Sequence, residues 1–201
     1  MDSSALALVL VDIQRDFWQP LKQLPAFAGF DASIRSLLQG ARQRGLLIVH
    51  LHSEFQGNGS DWMLFYRGLG RIPCILDSQG ALFEEFAKPL AGELVIAKKT
   101  FDGFVGTPLE QTLRNCGVKA ILVAGLETSV CVLFTAASAY MRRFVPIVVK
   151  DACADLEKRH KATLCHYTEL CFQTVTTAEV NDDFQAVLQL AGRFAEDQPQ
   201  V

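Results

Sequence analysis

The sequence has no long hydrophobic run and no surplus of charge of one sign. It carries 19 lysines and arginines against 22 acidic residues over 201 positions, which gives a formal net charge of −3. This balance gives no reason to expect nucleic acid or an anionic membrane as a partner. The apolar run Ala5 to Val11 lacks a basic flank and is too short for a signal peptide or a membrane span. We therefore expect a soluble, cytoplasmic protein.

Internal repeats, low-complexity tracts and linkers are also lacking, so nothing in the sequence marks a domain boundary. A chain of 201 residues that is 50% hydrophobic is long enough for one sizeable core. We predict one domain over residues 1–201. The 6 cysteines, without a secretory signal, predict reduced thiols rather than a disulfide framework.

What the sequence does contain is a series of short apolar runs with helical stretches between them, the pattern of a parallel α/β sheet. The predicted strands are Leu6–Val11, Leu46–Leu51, Leu94–Ala97, Ile121–Ala124 and Val145–Val149, with a sixth near Phe172–Thr176. The predicted helices are Ala32–Arg44, roughly Ala81–Phe86, Pro108–Asn115, Val132–Arg142, His160–Cys171 and Ala178–Phe194. This order predicts a three-layer α-β-α fold around a doubly wound, six-stranded, mainly parallel sheet. The long segment Ser53 to Gly80, rich in glycine and aromatic residues, is typical of a functional lid.

Three chemically active residues stand at the carboxyl ends of predicted strands, where open parallel sheets bind ligands. Asp12 follows the first strand, Lys98 ends the third, and Cys131 follows the fourth at the start of a helix. Helix N–H groups and a nearby ammonium favour a thiolate, so we expect a lowered pKa for Cys131 and a nucleophilic role. The alternatives are an inert buried cysteine and an Asp12–Lys98 ion pair that only holds loop ends.

Three motifs, in order, resemble those of the isochorismatase-like, or cysteine hydrolase, superfamily. They are VDIQRDF, KKTFDGFVGTPL and GLETSVCV, and the resemblance extends from Ala5 to about Val180. It implies a Rossmann-like isochorismatase fold and, in the amidohydrolase branch, cleavage of a small amide through a cysteine thioester. It also implies no cofactor, and a homo-oligomer, a dimer or larger.

The resemblance assigns the catalytic roles to Asp12, Lys98 and Cys131. Asp12 would accept the thiol proton and later activate water, while Lys98 would stabilise the developing negative charge. The oxyanion would be held by the backbone N–H groups of Glu127 and Cys131. A cis peptide at Leu126–Glu127 would turn the Glu127 N–H inward.

Two departures from the family pattern put the substrate in doubt. The chain has Asp102-Gly103-Phe104 where Ser-Ala-Phe is common, and Glu127 where a small or apolar residue is common. If the Glu127 side chain pointed inward, it would disfavour an anionic substrate. The alternative, which we favour from the sequence, is that it points away and bonds its own loop.

The sequence does not predict a metal site. His50, His52 and Glu54 alternate on a strand and are plausible ligands. However, Ser53 and Phe55 occupy the positions where nicotinamidases carry an Asp-x-His motif, so that family site is missing.

Aromatic residues near the strand ends are candidates for binding a small, flat, mostly apolar amide. They are Phe17, Trp18, Trp62, Tyr66 and Phe101. Arg67 and Arg71 are candidates for clamping a substrate carboxylate. The other cysteines are interpreted as structural thiols: Cys74, Cys116, Cys153, Cys165 and Cys171.

Two other functions compete with amide hydrolysis. The first is hydrolysis of an isochorismate-type vinyl ether, whose enzymes replace the motif cysteine, so Cys131 disfavours it. The second is a catalytically silent binding or interaction module of the same fold. A Cys131 buried away from any pocket would favour that module.

Overall fold

The computed structural model describes residues 1–169 and 172–196. Its strands are β1 (Leu6–Val11), β2 (Leu47–Ser53), β3 (Leu94–Lys98), β4 (Ala120–Leu126), β5 (Val145–Ala154) and β6 (Gln173–Val175). They form one six-stranded sheet in the order β3-β2-β1-β4-β5-β6, and all five pairings are parallel. The predicted doubly wound sheet is therefore confirmed.

Helices cover both faces of this sheet. They are α1 (Arg15–Trp18), α2 (Phe30–Gln43), α3 (Leu64–Leu69), α4 (Leu109–Asn115), α5 (Leu133–Met141), α6 (Glu157–Glu169), α7 (Thr177–Asp182) and α8 (Phe184–Glu196). Side chains of α2, α7 and α8 pack on one face, and those of α4, α5 and α6 pack on the other. The central strands β1 and β4 are buried along their whole length because both faces are covered. Within the described ranges no helix is long and apolar enough to cross a membrane.

The predicted helix over Ala81–Phe86 is wrong. The structure has an extended segment there, between two single 3₁₀ turns. The Arg15 N–H donates to the Leu82 carbonyl at 3.0 Å, and the Glu84 N–H donates to the Ile13 carbonyl at 3.0 Å. This segment therefore uses its backbone groups in hydrogen bonds to the residues that follow β1, and a helix would need the same groups for its own hydrogen bonds.

The helix predicted over Ala178–Phe194 is divided into α7 and α8. The chain leaves the helical conformation at Asp183, where φ is −130° and ψ is 56°. Thr176 and Glu179 form a capping box at the start of α7, which marks a helix beginning. Cys171, the last residue of another predicted helix, lies outside the described residues.

The strand order reverses direction between β1 and β4, and this switch point creates the cleft of the molecule. From β1 the chain adds β2 and then β3 on one side of the sheet. From β4 it adds β5 and then β6 on the other side. Gly125 lies in β4 beside Val11, with a φ of +129°, and a Cβ there would stand 2.1 Å from the Val11 carbonyl oxygen. Only glycine allows the two strands this approach directly before the turn that carries Cys131.

Candidate active site

Asp12, Lys98 and Cys131 meet at the switch point, and we call them the buried triad. The Lys98 ammonium nitrogen lies 2.7 Å from Asp12 Oδ2 and 3.5 Å from the Cys131 sulfur. All three residues are at most 4% exposed. Asp12 adopts a left-handed φ of 50°, uncommon outside glycine and tolerated best by asparagine and aspartate. Residues separated by more than 100 positions thus form one contiguous cluster.

Lys98 is held in a charged state by its surroundings. Its ammonium also donates to the Ser53 hydroxyl and to the Thr100 carbonyl, both at 2.9 Å. Burial alone would lower the pKa of Lys98, but Asp12 and Cys131 outweigh that cost and raise it. The site therefore holds a permanent positive charge beside the thiol.

The pKa of the Cys131 thiol is raised well above its ordinary value, mainly by burial and then by the Asp12 carboxylate, with Lys98 acting in the opposite direction. The expectation of a lowered pKa is therefore wrong, because desolvation of a buried thiolate outweighs a helix start and one ammonium. In the free protein the sulfur keeps its proton. The Asp12 carboxylate, which is ion-paired with Lys98, also interacts with this thiol.

Cys131 lies in a π-helical turn, Thr128–Val132, which leads directly into α5. We call it the nucleophile turn, after the role that the sequence predicts for Cys131. Side chains from α6 and from the residue after β5 hold this turn in place. Asp155 accepts from the Ser129 N–H at 2.9 Å and from its hydroxyl at 2.6 Å. The Tyr167 hydroxyl donates to the Thr128 carbonyl at 2.8 Å, and His160 Nδ1 lies 2.8 Å from the Thr128 hydroxyl oxygen. The peptide bond before the turn, Leu126–Glu127, is cis, as the family resemblance implies.

A cavity of about 650 Å³ opens onto Cys131. Its walls are mainly apolar, and they are formed by Asp16, Phe17, Pro20, Phe65, Tyr66, Leu69, Arg71, Ile72, Pro73, Phe101, Glu127, Val130, Cys131, Phe134 and Arg159. Phe101 packs between Phe65 and Phe134, with ring centroids 5.7 and 5.9 Å apart. The segment predicted as a lid supplies one wall, including α3. Cys131 is therefore buried but reached from a cavity.

Three of the predicted substrate-binding residues line this cavity: Phe17, Tyr66 and Phe101. Trp18 does not, because it packs in the core against Phe30 with ring centroids 4.5 Å apart. Trp62 does not either, because its indole N–H donates to the Gln56 carbonyl at 2.7 Å and holds the loop together.

The two lid arginines differ in their surroundings. Arg67 donates to the carbonyls of Trp62 and Gly59 and does not line the cavity. Arg71 is exposed, lines the cavity, and makes no hydrogen bond or ion pair with the described residues. Of the predicted clamp, only Arg71 is in a position to meet a ligand.

The Glu127 side chain bonds to α6 rather than to its own loop, so that expectation is wrong. Its Oε2 lies 2.9 Å from Arg159 Nη2, and both residues line the cavity. The sequence prediction missed Arg159, since its partner stands 32 residues earlier in the chain. It also missed Phe134 and Val130, although both adjoin Cys131 in the nucleophile turn and helix.

The three metal candidates do not form a centre. His50 is buried and its Nε2 lies 2.8 Å from Glu93, which also pairs with Arg42 at 2.7 Å. These contacts tie β2 to α2 and to the start of β3. Over residues 1–169 and 172–196 no group of histidine, cysteine, aspartate or glutamate side chains is arranged to hold a metal ion.

A Rossmann-like sheet with a cysteine, a lysine and an aspartate at its switch point defines a class, the isochorismatase-like cysteine hydrolases. The chain belongs to the isochorismatase family, because the sequence model of the isochorismatase domain matches residues 6–180. It is 29% identical over 197 residues to the maleamate amidohydrolase of Pseudomonas putida, covering 92% of this chain and 88% of that protein.

Solved structures agree with this assignment. An isochorismatase family protein from Desulfovibrio vulgaris superposes with a TM-score of 0.81 and 27% identity, covering 90% of this chain and 98% of that one. N-carbamoylsarcosine amidase from Thermoplasma acidophilum gives a TM-score of 0.72 and 26% identity, covering 86% and 96%. The chain is thus an isochorismatase-family hydrolase with amidohydrolases among its relatives.

Proposed function

We propose that this protein hydrolyses the C–N bond of a small amide or carbamoyl compound through a thioester on Cys131. One observation carries the proposal. A buried thiol, a charged ammonium and a carboxylate are in contact beside a cavity. This set supplies a nucleophile, a charge stabiliser and a proton acceptor.

In the first half of the reaction, Asp12 accepts the proton of the Cys131 thiol as the sulfur attacks the carbonyl carbon. The negative charge that develops on the carbonyl oxygen is stabilised by the N–H groups of Glu127 and Cys131, which stand where a helix start leaves donors without partners. Lys98 stabilises the sulfur and the carboxylate during this transfer. The tetrahedral intermediate collapses, the C–N bond breaks, and the amine leaves with the proton from Asp12.

In the second half, Asp12 accepts a proton from water, which attacks the thioester carbonyl. The C–S bond breaks, the carboxylic acid is released, and the Cys131 sulfur recovers its proton. One water is consumed for each C–N bond cleaved.

The walls of the cavity favour a small, flat acyl group. Rings of Phe17, Phe101 and Phe134 offer apolar faces near the sulfur. Burial, together with Cys131 and Asp12, raises the pKa of the Tyr66 hydroxyl, so it stays protonated and is able to donate a hydrogen bond to a ligand. We propose that Tyr66 orients the substrate in this way.

Two observations separate this function from its competitors. Vinyl-ether hydrolysis uses no nucleophile, whereas here the sulfur contacts a buried ammonium. A silent binding module would leave the cysteine without access, whereas Cys131 lines the cavity together with Glu127 and Val130.

The test is ammonia release from a panel of small amides and ureas. We expect at least one to be hydrolysed by the wild type and none by Cys131→Ser, because a hydroxyl is a far weaker nucleophile at neutral pH. Cys116→Ser, which changes an exposed thiol that does not line the cavity, is the matched control and should retain full activity. Equal activity in Cys131→Ser would refute the proposal.

A further inference from the structure

One wall of the cavity carries a second group of charges, Glu127 and Arg159. The buried Asp155 pairs with Arg159 but does not line the cavity, and we call the three residues the rim cluster. Arg159 Nη2 lies 2.9 Å from Glu127 Oε2 and 2.7 Å from Asp155 Oδ1, and its Nε donates to Asp155 at 2.8 Å. Asp155 is fully buried, and it also accepts from the Ser129 N–H and hydroxyl. Two carboxylates therefore share one guanidinium.

The rim cluster is negative overall, since the single positive charge of Arg159 faces two carboxylates. The other charges on the cavity wall, Asp16 and Arg71, have opposite signs, and both are exposed to water. Exposed charges are screened and contribute little, whereas half-buried ones are screened much less. The Glu127 side chain is only 28% exposed, so its charge is screened less than the charges of Asp16 and Arg71.

The surroundings of Glu127 already resist negative charge. Burial, followed by the Asp155 carboxylate, raises the pKa of Glu127 even though Arg159 acts against the shift. A carboxylate on a substrate would meet the same resistance at the same wall.

We propose that the rim cluster is a charge filter, which admits uncharged and cationic amides to Cys131 and rejects amides that carry a carboxylate. This inference rests on the proposed function, because it takes Cys131 as the reacting group. The filter would also give this chain a different substrate preference from the relative whose name specifies an anionic substrate, maleamate. Glu127 and Arg159 then act as specificity residues, while Asp155 positions Arg159 and the nucleophile turn.

The filter is tested without any amide substrate by two alkylating probes of similar size. Iodoacetamide is neutral and iodoacetate is anionic, and both transfer their carbon to a thiol with loss of iodide. The rate ratio of the two probes is measured at Cys131 by peptide mass spectrometry. The exposed Cys116 and Cys165 of the same molecules give the reference ratio. We expect the preference for the neutral probe to be about tenfold greater at Cys131, as one uncompensated charge at close range implies.

Two variants move this ratio in opposite directions. Glu127→Gln keeps the shape and removes a negative charge, so we expect the preference to fall about fivefold or more. Arg159→Gln leaves both carboxylates uncompensated, so the preference should rise. The Asp12–Lys98 pair is present in every variant and cancels from the comparison. Glu110→Gln is the matched control, since Glu110 also pairs with arginines (Arg114 and Arg142) but does not line the cavity.

A ratio at Cys131 equal to the reference, or an unchanged ratio in Glu127→Gln, would overturn the filter. Both results are independent of turnover. If no amide is hydrolysed while the labelling ratios behave as expected, the proposed function fails and the filter stands. If neutral amides are hydrolysed, and maleamate is hydrolysed at the same rate as its methyl ester, the filter fails and the proposed function stands.

Discussion

The buried triad and the rim cluster both contact the turn that carries Cys131, and each pairs carboxylate with cation at 2.7 to 2.9 Å. They differ in their access to water. Lys98 and Asp12 are completely buried side chains, whereas Arg159 is 46% exposed and Glu127 28%. The same kind of ion pair therefore has different consequences. In the buried triad it raises the pKa of Lys98 out of contact with water, and in the rim cluster it presents charges on the wall that a ligand meets.

Removal of the buried cation should have the largest effect. Lys98→Met leaves the Asp12 carboxylate buried without its partner, which costs about 3–5 kcal/mol in the free energy of unfolding. Urea denaturation measures this loss. The neighbouring Lys99→Met is the control, because Lys99 is 40% exposed and pairs with Asp61 at 3.0 Å, and such pairs contribute about 0–1 kcal/mol. Similar losses in both variants would contradict the contrast between buried and exposed pairs.

Asp12→Asn should change amide turnover and the reactivity of the Cys131 thiol in opposite directions. Amide turnover should fall by about 10²–10⁴-fold, because the proton acceptor is lost. The carboxylate also raises the pKa of Cys131, so its removal lowers that pKa and increases the thiolate fraction beside Lys98. We therefore expect faster alkylation of Cys131 by iodoacetamide near pH 8, measured as a labelling rate. Slower alkylation together with full turnover would show that Asp12 has neither role.

Loss of one hydrogen bond that holds the nucleophile turn should have an intermediate effect. Tyr167→Phe leaves the buried Thr128 carbonyl without its donor, at a cost of about 1–3 kcal/mol. Tyr140→Phe is the matched control, because Tyr140 is 53% exposed on α5. Urea denaturation of both variants gives the comparison, and an equal, negligible change in the two would mean that the turn does not depend on α6.

The smallest change in stability is expected at the rim cluster. Glu127→Gln should alter the free energy of unfolding by less than about 1 kcal/mol, because its pair with Arg159 is partly exposed. Urea denaturation again provides the measurement. A loss as large as that of Lys98→Met would make the rim cluster a structural element like the buried triad, rather than a surface for ligands.

The sequence predicts those features that depend on local pattern. Strand β1 has the predicted bounds, and the residues at the ends of β1, β3 and β4 meet as expected, since parallel strands bring their carboxyl ends to one edge. The lid was predicted as a long segment, but its short helix α3 was not.

Features that depend on contacts between residues far apart in the sequence were not predicted. The segment over Ala81–Phe86 has a helical composition, yet hydrogen bonds to the chain after β1 hold it extended. Trp18 stands beside the VDIQRDF motif but packs into the core, because α1 turns its ring toward Phe30. Arg159 has no local signal at all, since only the packing of α6 against the nucleophile turn brings it to Glu127.

The central claim is that Cys131 forms a covalent acyl intermediate with a small amide. The direct measurement is intact-protein and peptide mass spectrometry of the wild type, quenched with acid during turnover of an amide found in the ammonia-release panel. We expect an added mass equal to the acyl group, located on Cys131 and removed by hydroxylamine. Steady ammonia release with unmodified Cys131, and with equal rates in Cys131→Ser, would contradict it.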